Sequence, residues 1–170
     1  MTQPYLVILV IGLVACVFDL RTRRIPNVLT FSTAGAGLIY HFMIGGWSGA
    51  GGAAAGLLLG LLIFFPLFAL RGLGAGDLKL LAAFGAWLGP QRTLMAALAA
   101  AIFGAAAALI LVFFQRRISA TASNLHDLVT FWKVAGPRPH PELTLETSPN
   151  IRLAYAVPIT AGALATLWFR

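Results

Sequence analysis

Residues 25–70 read IPNVLTFSTAGAGLIYHFMIGGWSGAGGAAAGLLLGLLIFFPLFAL, and no Asp, Glu, Lys or Arg interrupts them. An α-helix needs about 20 apolar residues to cross roughly 30 Å of hydrocarbon, so this run is long enough to cross twice. It must therefore divide at a turn. Gly45-Gly46-Trp47-Ser48-Gly49 is the natural break, with Trp47 suited to the headgroup level. This division predicts helices over Val28–Ile44 and Ala50–Leu70.

Working outward, residues 1–18 and Thr93–Gln115 are further uncharged runs. Leu78–Gly89 is apolar but short, with Gly89-Pro90 turning into the Thr93 helix, and Leu153–Phe169 forms a last span closed by Arg170. The reading is an all-α polytopic membrane protein: six transmembrane helices in a single membrane-embedded domain over residues 1–170. Composition agrees. Of 170 residues 59% are hydrophobic and 10% charged, with a mean hydropathy of +0.88. Soluble domains carry about 25% charged residues, so a water-soluble globule is excluded. Cys16 is the one cysteine, which rules out an intrachain disulfide or a CxxC site and leaves a packing role.

The net charge of +7 would suggest nucleic acid in a soluble protein. Here it follows from topology. If helix 1 enters from outside, the inner loops hold Arg21, Arg23, Arg24, Arg71, Lys79, Arg116, Arg117, Lys133, Arg138 and Arg152, leaving Arg92 and Arg170 outside. That is a positive-inside distribution with both termini external. The first segment has no basic region ahead of it, so it is not read as a cleavable signal peptide. Within the polar stretch Arg116–Asn150, Ile118, Ala122, Leu125, Val129 and Trp132 alternate at spacings of four and three. They predict an amphipathic helix on the inner membrane surface. Gly136-Pro137-Arg138-Pro139-His140-Pro141 then reads as an exposed loop. Gly52, Gly56 and Gly60 share a helix face and predict close helix packing.

With five acids in the chain, each can be weighed. Glu142 and Glu146 fall in the proline-rich loop, Asp127 on the amphipathic segment, and all three have ordinary solvated roles. Asp19 and Asp77 differ, because the topology puts both at the inner boundary and at similar depth. Alone, either could be an ion-pair partner of a nearby Arg, or a helix cap in the case of Asp77. Together at one depth they are candidates for function. Gly74 and Gly76 remove side-chain bulk beside Asp77, so that an extended peptide could approach. Like charges a few Å apart cannot both ionise cheaply, so such a pair holds one proton between its members. The ionised carboxylate can then take a proton from water as it attacks a peptide carbonyl, while the protonated one hydrogen-bonds the carbonyl oxygen.

Asp19 followed by Ile25-Pro26-Asn27, then Gly74-Ala75-Gly76-Asp77-Leu78-Lys79, then Tyr155-Ala156-Val157-Pro158, resembles the bacterial type IV prepilin leader peptidases, membrane aspartyl proteases of the GxGD class. The resemblance runs in order along essentially the whole chain. It implies cleavage of a short basic leader from prepilins or pseudopilins at the cytoplasmic face of the bacterial inner membrane, just before the substrate's transmembrane helix. The family's catalytic aspartates match Asp19 and Asp77. Gly74, Gly76, Lys79, Pro26 and Asn27 match supporting motif positions. Larger members also N-methylate the new amino terminus and carry a cysteine-paired segment after helix 1. Here only Arg21–Asn27 separates helices 1 and 2, which argues against methyl transfer. The short form resembles the stand-alone peptidases of Flp-type (tight-adherence) pili. No cofactor, metal or nucleic acid is called for, and membrane lipid is the other expected partner.

Two rivals stand beside this reading. Gly46-Trp47-Ser48-Gly49 matches the GxSG of rhomboid serine proteases, but that chemistry needs a later histidine beside the serine. His126 and His140 belong to the inner connection, across the membrane from Ser48, and His41 precedes it. A non-enzymatic transporter or assembly scaffold would use Asp19 and Asp77 as a proton relay or as ion-pair residues. With no HExxH in the sequence, a zinc protease is unsupported.

Overall fold

In the computed structural model the chain is all-helical; residues 3–116, 118–141, 143 and 153–166 are described. The helices are α1 (Gln3–Thr22), α2 (Asn27–Ala69), α3 (Ala75–Phe114), α4 (Ile118–Ala135) and α5 (Ala156–Ala165). Arg117, Glu142, Glu146, Arg152 and the expected end of the last span at Phe169 and Arg170 lie outside the described residues.

The two longest helices are not straight. The 43 residues of α2 would, if straight, run roughly 65 Å, about twice the hydrocarbon thickness of a bilayer. Gly46 leaves the helical region, at φ 58° and ψ −145°, a conformation that suits a residue without a side chain. Three residues later, a Cβ placed on Gly49 would collide with the His41 carbonyl oxygen. Along a straight helix those residues lie roughly 12 Å apart, so α2 turns back on itself. In α3 the exception is Gly89, at φ 72° and ψ 172°, with Pro90 opening the second half. Asp77 and Gly104 would be roughly 40 Å apart in a straight helix, yet they line one cavity. The expected turns thus fall where the sequence put them, but each takes a single non-helical glycine. The described residues form five helices, of which α2 and α3 double back.

What packs these segments is the lack of side chains. A Cβ on Gly56 would strike the Gly85 carbonyl oxygen, one on Gly85 would strike that of Gly56, and one on Gly60 would lie 2.8 Å from Ala82 Cα. Gly56 and Gly60 therefore do what their spacing predicts. Gly52, the third of the set, has open space beside it. Residues 80–88 of α3 are buried on every side, as expected for a segment apolar all round. Trp87 Nε1 donates to the Thr33 carbonyl at 2.8 Å, tying the first half of α2 to this centre. α5 seats Gly162 against Ala96 and Ala100.

Outside this packing, Leu6, Leu13, Leu58, Leu62, Ile102 and Leu109 are more than half exposed. Among the described residues three helices are long and apolar enough to cross a membrane: α1 from Pro4, α2 and α3; α5 is apolar but shorter. With so apolar an exterior, this is an integral membrane protein. α4 forms as the periodicity predicts and buries none of its residues. Gly136 ends it at φ +77°, and the following turn is less free than its prolines suggest. Trp132 Nε1 donates to the Arg138 carbonyl at 2.9 Å, and the Phe131 and His140 rings meet edge-on at 4.8 Å.

Candidate active site

The end of α1, the connection that follows α2, the first turn and second half of α3, and the residues that lead into α5 converge on one cavity. Asp19 belongs to the last turn of α1 and is only 8% exposed. Its Oδ2 accepts from the Ala156 backbone N–H at 3.2 Å. The first N–H groups of any helix lack intrahelical partners. Tyr155, the N-cap of α5, makes no side-chain cap, so a carboxylate from 137 residues earlier in the chain serves instead. It also sits at the positive end of the α5 dipole.

Asp77 solves the same problem locally. Gly74 is the N-cap of α3 and has no side chain to offer. The acid at the third helical position turns back to the Gly74 N–H, as the acidic member of a capping box does. A Cβ on Gly74 would sit 3.0 Å from Asp77 Oδ2. The other carboxylate oxygen, Oδ1, is buried and has no hydrogen-bond partner among the described residues.

The remaining predicted positions gather around Asp77. A Cβ on Gly76 would lie 3.1 Å from Ile25 Cβ, so this glycine makes room for the residue preceding Pro26. Pro26 is the N-cap of α2, where a missing N–H costs nothing. The next residue, Asn27, accepts through Oδ1 from Lys79 Nζ at 3.0 Å. Lys79 also lies 5.3 Å over the Phe31 ring, a cation–π distance. All seven residues singled out in the sequence therefore meet at one end of the bundle.

Asp19 and Asp77 both face a cavity of about 480 Å³, walled also by Arg23, Leu73, Ala101, Ala105 and Tyr155. Tyr155 stands edge-on to Phe64 at 6.0 Å and fits because Gly104 has no Cβ, which would lie 2.8 Å from the ring. An adjoining apolar cavity of about 440 Å³, between α1, the second half of α3 and α5, shares Arg23 and Leu153 with it. The sequence reading missed the Ala156 N–H, because a backbone donor has no residue signature. Tyr155 was visible as part of the Tyr-Ala-Val-Pro run, though not as a wall of the site. Ser48 is exposed beside the Gly46 reversal. His41 Nε2 there meets the Trp87 carbonyl at 3.1 Å, so no serine–histidine pair forms through it. Among the described residues no three His, Cys, Asp or Glu side chains converge as metal ligands would.

Fold and cavity define a membrane protein that brings two acids from distant helices to one site. Residues 6–109 match the type IV leader peptidase family; the match spans more than half the chain and includes both aspartates, and the protein belongs to that family. Among its relatives is the prepilin leader peptidase/N-methyltransferase of Aeromonas salmonicida (strain A449), 38% identical over 104 residues, covering 54% of this chain and 35% of the relative. The protein of the same name from Aeromonas hydrophila is 37% identical over 101 residues, covering 55% and 34%. That from Escherichia coli (strain K12) is 34% identical over 111 residues, covering 62% and 49%. The alignments thus take in about a third to a half of the length of these relatives. No solved structure matches.

Proposed function

We propose that this chain is an aspartyl endopeptidase that removes the short leader from type IV prepilins or pseudopilins, with Asp19 and Asp77 as its catalytic pair. The observation that carries the reading is the shared cavity: two acids 58 positions apart in sequence (77 − 19) face one space, each held by a backbone N–H at a helix start. Family membership supports the reaction class.

In the proposed cycle the pair holds one proton. The ionised carboxylate takes a proton from water as the water oxygen bonds to the scissile carbonyl carbon, and the protonated partner passes its proton to the carbonyl oxygen. The tetrahedral diol then collapses, the C–N bond breaks, and the proton taken from water moves to the leaving amine nitrogen. The diol returns its extra proton to the partner, which restores the starting state. Arg23 stands on the wall of the same cavity.

The finer assignments rest on the sequence. α1, the two halves of α2, the two halves of α3 and the α5 segment are the six crossings, in the inner membrane of a bacterium, with the termini outside and the site at the cytoplasmic face. α4 lies on the inner surface. The short Arg23–Pro26 connector supports an Flp-type substrate and a peptidase step without methyl transfer.

The test is direct. Purified protein in liposomes is mixed with a candidate prepilin, and leader loss is read as a gel shift. Asp19→Asn and Asp77→Asn should each lower the rate by about 10²–10⁴-fold, the usual contribution of a general acid or base, while inserting normally. Cleavage at the parental rate by either variant sinks the pair.

A further inference from the structure

α1 carries Asp19, but it packs chiefly on α5 and touches α2 and α3 only sparsely. Asp77 belongs to α3. The relative position of the two carboxylates is therefore not fixed by helix-on-helix packing between their own elements. It depends on tethers. One runs through α5, where the Ala156 N–H holds Asp19. The other is the short connector after α1, which ends in Ile25-Pro26-Asn27. Ile25 is buried against Gly76, one residue before Asp77, and Asn27 receives the Lys79 ammonium, two residues after it.

The placement of Lys79 needs a reason beyond helix stability. It sits near the start of α3 and close to the start of α2, and the positive ends of both helix dipoles disfavour a cation there. Two contacts hold it nonetheless: the Asn27 carboxamide oxygen at 3.0 Å and the Phe31 ring at 5.3 Å. Both partners belong to the first two turns of α2, and neither lines the carboxylate cavity. Lys79 is not in the cavity either. It can act on the reaction only through the backbone it fastens.

We infer that the Asn27–Lys79 hydrogen bond is a positioning clasp, holding the connector from α1 against the Gly74–Lys79 turn so that Asp19 and Asp77 keep their working separation. This rests on the proposed aspartyl peptidase reading. It makes Asn27 and Lys79 positioning residues, whose removal changes turnover and not substrate affinity. Displacing a reacting group by about 1 Å can cost on the order of 10²-fold in rate. An exposed, two-residue clasp should cost less, about tenfold.

The experiment is a double-mutant cycle on the full chain in liposomes, using one prepilin and measuring kcat and KM separately. Asn27→Ala and Lys79→Met should each lower kcat about tenfold with KM unchanged, and the double variant should be no slower than either single one. Asn27→Asp keeps an acceptor for the ammonium and should restore the parental kcat, a recovery that a general loss of folding would not show. Multiplicative losses in the double variant, an effect confined to KM, or parental kcat in both single variants each overturns the clasp. If Lys79→Met does not insert, Asn27→Ala and Asn27→Asp still decide it, since loss in the first and recovery in the second are both required. Asp19→Asn and Asp77→Asn are assayed alongside. Their failure to reduce cleavage would refute the aspartyl reading, whereas their loss with an unaffected Lys79→Met refutes only the clasp.

Discussion

α1 and α3 bring one carboxylate each to the same cavity, yet the two helices are held in opposite ways. The first half of α3 is buried on every side from Leu80 to Leu88 and lies backbone to backbone against α2 through Gly56, Gly60, Ala82 and Gly85. α1 leaves Leu6, Leu9, Val10, Leu13 and Val17 exposed and leans on α5. Its closest approach is a notch, where the Thr160 side chain fills the place of the missing Gly12 Cβ and Cys16 Sγ lies 3.7 Å from Thr160 Oγ1. Asp77 is thus set by the core of the molecule, whereas α1 adds to that core only Tyr5, Ile8 and Ala15 as buried hydrophobic residues, and Asp19 itself is held by a small number of specific contacts. Damage to the first helix should appear as lost activity; damage to the third, as lost protein.

The largest effect should come from breaking the α2–α3 contact. Gly85→Leu puts a side chain where the Gly56 backbone stands. Backbone cannot step aside as a side chain can, so the cost should exceed the 1–3 kcal/mol usual for overpacking. The variant should fail to accumulate as folded protein, read by yield and by thermal unfolding in detergent. A well-folded Gly85→Leu protein would mean that α2 and α3 are not held together by close approach.

Gly12→Val should divide the two helices cleanly. The Cβ of the new side chain would overlap the Thr160 methyl and hydroxyl and lie 3.1 Å from the Thr160 Cβ, a contact that no turn of that side chain relieves. α1 must then move off α5, and the Ala156 N–H contact to Asp19 goes with it. Cleavage should fall about tenfold or more while the unfolding midpoint shifts little. Equal losses in both would place α1 within the core and erase the contrast. A smaller effect is expected from Gly104→Ala, whose methyl would crowd the Tyr155 ring at 2.8 Å and narrow the cavity. A few-fold loss in cleavage with near-parental stability is the expected outcome. Ser48→Ala should leave the rate unchanged, because Ser48 is exposed at the Gly46 reversal, the other end of the bundle from Asp19. A drop would return the serine reading to contention.

How much of this was legible in the sequence follows the same division. The runs free of charge marked the helices, and Gly46 and Gly89 fall inside the turns that the glycine clusters predicted. Asp19 and Asp77 stood out because acids are so scarce in the chain. Gly56 and Gly60 announced a close contact, but their partners Ala82 and Gly85 did not, since small residues are common throughout α3 and spacing alone does not choose among them. The Asn27–Lys79 bond joins two motifs that were each visible; only folding brings residues 52 positions apart together. The hold of Ala156 on Asp19 was invisible for a plainer reason: every non-proline residue has a backbone N–H, and sequence does not say which one is left without a partner.

The reversals at Gly46 and Gly89 have a bearing on how the protein meets a protease or a label. A turn made by one glycine inside an otherwise continuous helix leaves almost no extended backbone for an enzyme to grip. At the other end of the bundle lie the Arg23–Pro26 connector and the Leu70–Gly74 turn. Proteolysis and epitope insertion within the chain should therefore succeed at those connections and fail at the glycine turns. Between its termini, such a bundle is easy to extend at one end and nearly closed to modification at the other.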